Sequence, residues 1–183
     1  MKEEYMFLTI IVPGLKNPKD MLDVYLQPFI AEMTHLWETG IETYDASMQN
    51  NFQMRAALMW TISDFPAYAM LSGWSTAGRT ACLYCKEDSD AFTLTKGRKQ
   101  SWFDNHLKFL PPNHAFRRNK TAFRKNRTIT KTCPATCSGD EILEEIEHLG
   151  LKRVMDLAAY ETNHRIAKHK GWRKRSTFWD LPY

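Results

Sequence analysis

The chain has 183 residues, 43% of them hydrophobic and 13% aromatic, which suits one domain with a real core and excludes a disordered composition. The formal net charge of +4 is mild, no apolar run approaches the roughly 18–20 residues of a membrane span, and Met1–Tyr5 lacks the layout of a secretion signal, so an intracellular protein is expected. Four cysteines are too few for a disulfide scaffold, and a close pair in a reducing compartment reads first as a metal site.

The first predicted element is a strand over Tyr5–Val12, a continuous β-branched and apolar run stopped by Pro13-Gly14. Asn17 then offers an N-cap, Pro18 suits the first helical position and Asp20 the first turn. Apolar residues at 22, 25, 26, 29, 30, 33, 36 and 37 make one helical face, and Gly40 ends the helix. Ile41–Tyr44 suits a short strand, with a loop from Asp45 to Asn51. Met54–Ile62 is short and apolar, and its strand-favouring Trp60, Thr61 and Ile62 predict a buried strand over Leu58–Ile62. Pro66 suits the first turn of a short helix reaching Met70 or Leu71.

Between Asn105 and Gly139 there is no acid, whereas Lys108, Arg117, Arg118, Lys120, Arg124, Lys125, Arg127 and Lys131 all lie there. An extended, mobile basic segment is expected. Ser138 and Glu141 form a capping box ahead of a stripe at Ile142, Leu143, Ile146 and Leu149, which Gly150 stops. A second helix is expected over about 152–164, followed by a basic patch at Lys168–Arg175.

Three groups carry candidate chemistry. Asp64 stands between the predicted strand and the helix at Phe65-Pro66. It is read either as that helix's N-cap or as a metal-binding carboxylate, and two-metal chemistry needs further acids that no spacing reveals. Cys82 and Cys85 are followed by His106 after twenty residues and by His114 after seven more, a donor set able to complete a tetrahedral zinc site that ties two loops together. The alternatives are buried free cysteines with surface histidines, or a redox pair. The basic interval is a solvated loop or, with Phe109, Phe116 and Phe123 interleaved, a nucleic-acid surface. Cys133 and Cys137 read as incidental.

Several ordered blocks go further: Pro13-Gly14 with Asn17-Pro18, Asp23-Val-Tyr-Leu26, Thr43-Tyr-Asp45, the run from Arg55 to Ala67 that contains Trp60-Thr-Ile-Ser-Asp64-Phe-Pro66, Leu71-Ser-Gly-Trp-Ser-Thr76, Cys82-x-x-Cys85, Phe109-Leu-Pro111, Asn113-His114, and Arg175-Ser-x-Phe-x-Asp-Leu-Pro182. Together they resemble the plant CACTA-type (En/Spm) transposases over nearly the whole chain, more weakly from about 125 to 170. The resemblance implies an α/β, RNase H-like core that cuts and joins DNA with acidic residues and Mg²⁺ or Mn²⁺, Asp64 being its second catalytic acid. It implies structural zinc at Cys82, Cys85, His106 and His114, DNA as the partner, and a nuclear location with other transposase subunits, while the basic interval itself offers Arg117, Arg118, Lys120, Arg124, Lys125 and Arg127 as the DNA contacts. No membrane or small-molecule partner is expected. The corresponding layout is a partial core (strand–helix–strand–helix) at 1–80, a zinc-knuckle-like insertion at 81–116, a basic linker at 117–137 and a partly helical segment at 138–183.

The departures from the family pattern are Leu15 in place of proline, Asp104-Asn105 before His106 in place of glycine, and the first and last catalytic acids, which fall before Met1 and after Tyr183. Both ends read as cut, so an internal fragment without activity of its own is expected. The other expectation is a non-enzymatic, zinc-stabilised module that binds DNA or a transposase subunit.

Overall fold

The computed structural model describes residues 8–14, 17–98, 100–103, 105–121, 127–167 and 171–183. Its elements in chain order are α1 (Leu22–Glu38), β1 (Ile41–Asp45), β2 (Asn50–Met54), α2 (Phe65–Ser72), β3 (Ala91–Thr93), β4 (Gln100–Phe103), α3 (Ala115–Arg118), α4 (Gly139–His148) and α5 (Leu157–Ala167). It is a mixed α/β arrangement whose strands form two separate antiparallel pairs, β1 with β2 and β3 with β4. No described helix is long and apolar enough to cross a membrane.

α1 ends where expected but starts later than Asn17 and Pro18 signal, at Leu22 and with no side-chain cap. The Asn17 side chain accepts the Lys19 amide at 2.8 Å, and a 3-10 turn at Lys19–Met21 leads into the helix. Gly40 closes it with φ +77, its amide donating to the His35 carbonyl at 3.0 Å. A Cβ at Gly40 would lie 2.6 Å from the Met54 carbonyl oxygen, so the residue must be glycine both for its backbone and for the approach of β2. Asp45 then builds the hairpin turn, its carboxylate accepting the amides of Ser47 at 2.8 Å and Met48 at 3.1 Å. The register pairs Ile41 with Met54 and Asp45 with Asn50.

Two expected strands differ. Residues 5–7 of the Tyr5–Val12 run lie outside the described residues. Residues 8–12 form no strand, and Leu8 and Ile11 are 77% and 72% exposed. Leu58–Ile62 is also not a strand, since residues 55–64 run without regular structure and Ile62 is 91% exposed. The cause is pairing: the Asp45 turn delivers Asn50–Met54 to β1, and among the described residues nothing lies beside 58–62 to complete a ladder. The Ala56 amide instead reaches the Leu36 carbonyl, and the Leu58 amide donates to the Tyr183 hydroxyl.

The core lies where the middle and the C-terminal part of the chain meet. Trp74, Ile146, Leu151 and Trp172 are buried together, with Ile142, Leu149 and Trp179 packed against them. Trp74 and Trp172 meet edge to face at 4.8 Å and 86°. Their backbones are bridged, the Ser75 amide donating to the Gly171 carbonyl and the Arg173 amide to the Gly73 carbonyl. α4 carries the predicted capping box: the Ser138 hydroxyl accepts the Glu141 amide at 3.2 Å, and the Ser138 amide donates back to the Glu141 carboxylate at 2.7 Å. α5 begins five residues later than expected. Lys152 and Val154 are held extended, by the Asn163 side chain and by the Asp23 carboxylate respectively.

One buried ion pair joins the ends of the fold. Asp23 of α1 and Lys174 are both fully buried, with the ammonium 2.5 Å from a carboxylate oxygen. Lys174 also donates to the Asp20 carbonyl, and Arg173 to the Asp20 carboxylate. Burial pushes the Asp23 carboxyl up despite Lys174 beside it, and burial pushes the Lys174 ammonium down.

Candidate nucleic-acid interface and metal-ligand residues

Asp64 is exposed at the start of α2. Its carboxylate accepts the Ala67 amide at 2.8 Å in extended backbone geometry, with Pro66 inside the first turn, so the side chain caps this helix. Among the described residues no three His, Cys, Asp or Glu side chains gather as a metal cage would need. Asp64 therefore belongs to no such group among the described residues, and the several converging acids of a two-metal clamp are not assembled there.

Cys82 and Cys85 do come together. The Lys86 amide donates to the Cys82 carbonyl, so the pair lies on one tight turn with the two thiols in contact. Burial pushes the Cys85 thiol up, its hydrogen bond with Cys82 adds to this, and the Lys108 ammonium beside it pulls the other way. His106 is exposed on the next 3-10 turn. The His114 ring nitrogen Nδ1 accepts the Phe116 amide at 3.2 Å to cap α3, and the ring packs on Phe116 at 5.1 Å. The two imidazoles do not join the cysteines, so the four ligands do not fit one tetrahedral ion as folded. The cation beside the buried thiol is the ammonium of Lys108.

The basic interval is more firmly held than its composition suggests. Lys108 is 1% exposed and its ammonium donates to the Asp90 carboxylate at 3.0 Å. Lys131 reaches Asp88 at 2.8 Å and Asp90 at 3.1 Å. Burial raises the Asp90 carboxyl, but hydrogen bonds from Lys108, Asn105 and Lys131 outweigh it and hold the group below its ordinary value. Arg117 is 4% exposed, and its guanidinium donates to the carbonyls of Leu107, Lys108 and Lys131 at 2.7–3.1 Å. These three cations build the fold. Arg118, Lys120 and Arg127 are exposed, and none has a carboxylate partner among the described residues. Arg124 and Lys125 lie outside the described residues. Cys133 and Cys137 are exposed.

The sequence assigns Asp20 only to a helix turn and Lys174 only to a basic patch, and it gives Asp88 and Asp90 no partner. Their opposite charges lie far apart in sequence, and no local spacing reveals such pairs. The available signal was the acid-free interval itself, whose cations need acids from elsewhere in the chain if any of them are to be buried.

What the geometry defines is a mixed α/β protein that, in its basic interval, leaves Arg118, Lys120 and Arg127 exposed while acids and backbone carbonyls hold Lys108, Arg117 and Lys131. A family-wide sequence profile described as Transposase family tnp2 matches residues 1–149, and the chain belongs to this transposase family. No curated protein and no solved structure matches the chain.

Proposed function

We propose that this chain is part of the catalytic region of a CACTA-type (En/Spm) DNA transposase, working on transposon DNA in the nucleus with other transposase subunits. The carrying observation is the family match over residues 1–149, which implies DNA as the partner. The exposed Arg118, Lys120 and Arg127 supply phosphate contacts, with Arg124 and Lys125 between them in sequence. Arg117 acts indirectly, by holding this segment against the fold. The RNase H-like core and the role of Asp64 as a Mg²⁺- or Mn²⁺-binding acid belong to the same reading. On this reading the chain alone leaves DNA uncut.

The test uses a fluorescent 30-base-pair duplex and supercoiled plasmid. Arg118→Ala/Lys120→Ala/Arg127→Ala is expected to lower the slope of log affinity against log salt by about three. An unchanged slope removes this interface. Plasmid nicking in Mg²⁺ or Mn²⁺ that disappears in Asp64→Ala overturns the claim that the chain does not cut alone.

A second reading, a non-enzymatic module stabilised by zinc that binds DNA or a transposase subunit, is favoured by the Cys82–Cys85 turn, which already presents two sulfurs to one point. It requires His106 and His114 to leave their present positions. Metal analysis of untagged protein decides. One equivalent of zinc, lost in Cys82→Ser and in His106→Ala, supports it, and less than about half an equivalent, unchanged in Cys82→Ser, discards it.

A further inference from the structure

Apart from the exposed cations of the 117–127 segment, the fold has a cleft of about 580 Å³ between the Ser75–Thr80 loop, α5 and the Gly171–Arg173 stretch. That volume is within the roughly 300–1,000 Å³ of small-ligand sites. Its lining is chemically divided. Arg79 is exposed and has no carboxylate partner among the described residues, and beside it are the hydroxyls of Ser75 and Thr80. Arg173 also lines the cleft and is bonded to Asp20, yet its side chain remains 39% exposed, leaving guanidinium N–H groups available. Among the described residues Asp20 is the one acid in the lining, against Arg79, Arg173 and the imidazole of His164. The wall from α5 carries Tyr160 and His164, whose rings are nearly parallel at 13° with centroids 6.1 Å apart. Gly78, with φ +86, has no atom within 4 Å of where a Cβ would stand, so the loop is open on this side.

Two arginines and two hydroxyls beside a stacked tyrosine–histidine pair suit a ligand that is anionic at one end and a planar ring at the other. We propose that this cleft takes one nucleotide of an unpaired DNA strand, its phosphate against Arg79 and Arg173 and its base against the Tyr160–His164 face. This deepens the transposase reading, on which the choice of DNA as the ligand rests. A base in a duplex is stacked and does not reach such a wall, so the cleft selects single strands and leaves duplex to Arg118, Lys120 and Arg127.

The test measures binding of the full chain to three probes: a fluorescent twelve-residue oligothymidine, the same strand with abasic positions, and free thymidine monophosphate. Arg79→Ala is expected to lower the salt slope for oligothymidine by about one, and Tyr160→Ala to weaken it about tenfold, with the abasic strand weak for every form. The 30-base-pair duplex should bind both variants as it binds the parent chain. Arg79 supports nothing in the fold through its side chain, so its variant stays informative if Tyr160→Ala unfolds. Oligothymidine binding that is absent, or unchanged in Arg79→Ala, overturns the proposal. So does equal affinity for oligothymidine and the free nucleotide, which would make the ligand a metabolite and not a strand. Because duplex binding is read separately through Arg118, Lys120 and Arg127, either site can fail while the other stands.

Discussion

Lys174→Ala is expected to lower the unfolding free energy by about 3–5 kcal/mol, read as a shift of the urea midpoint. The magnitude follows from what remains behind. Asp23 is fully buried, and its second oxygen accepts only the Val154 amide at 3.2 Å. Without the ammonium, a carboxylate in a dry site has lost its neutralising partner and either takes up a proton or pulls water in. The loss also reaches the Asp20 carbonyl, which accepts from the same ammonium. A control separates the charge from the volume: in Asp23→Leu/Lys174→Met both ions are replaced by apolar groups of similar size, and most of the loss should be recovered. A double variant as unstable as Lys174→Ala would show that packing at this position, and not the unpaired charge, dominates.

Trp74→Ala is expected to cost about 3–5 kcal/mol, enough to unfold the core where Trp74 meets Trp172, Ile146 and Leu151. Trp74 is 0% exposed, so the whole indole is lost from a close-packed region. Trp74→Phe should behave very differently. The indole N–H is buried and has no hydrogen-bond partner among the described residues, and a donor left so costs roughly 1–3 kcal/mol. Phenylalanine removes that donor while keeping an aromatic ring against Trp172, so the lost volume is partly offset and the net change should stay below about 2 kcal/mol. Equal midpoints for the two variants would contradict this account.

The parts legible in the sequence are those encoded within a few residues. Gly40, the Ser138–Glu141 box and Gly150 mark helix ends through local hydrogen bonds, and these ends stand where the residues place them, whereas Asn17 bonds only the 3-10 turn that precedes α1. Asp64-Phe-Pro is equally local: the capping reading and the catalytic reading name the same residue, and the cap is what the backbone displays. Strands depend on partners. Leu58–Ile62 has the composition of a buried strand, but a ladder needs a neighbour, and the more polar Asn50–Met54 has one. The basic interval shows a further limit. Composition marks Lys108, Arg117, Lys131 and Arg118 as equivalent cations, whereas the fold buries Lys108 and Arg117, half-buries Lys131 and exposes Arg118. Which ones are free to meet phosphate depends on Asp88, Asp90 and three backbone carbonyls, and those contacts exist only after folding.

The Asp23–Lys174 pair spans 151 positions of chain. A ribosome adding roughly 5–20 residues per second makes Asp23 about 8–30 s before it makes Lys174. Throughout that interval α1 can form, but its buried carboxylate has no counter-charge and the Trp74 side of the core lacks Trp172. The nascent chain therefore waits in an open form in which Trp74, fully buried once folding is complete, is still uncovered.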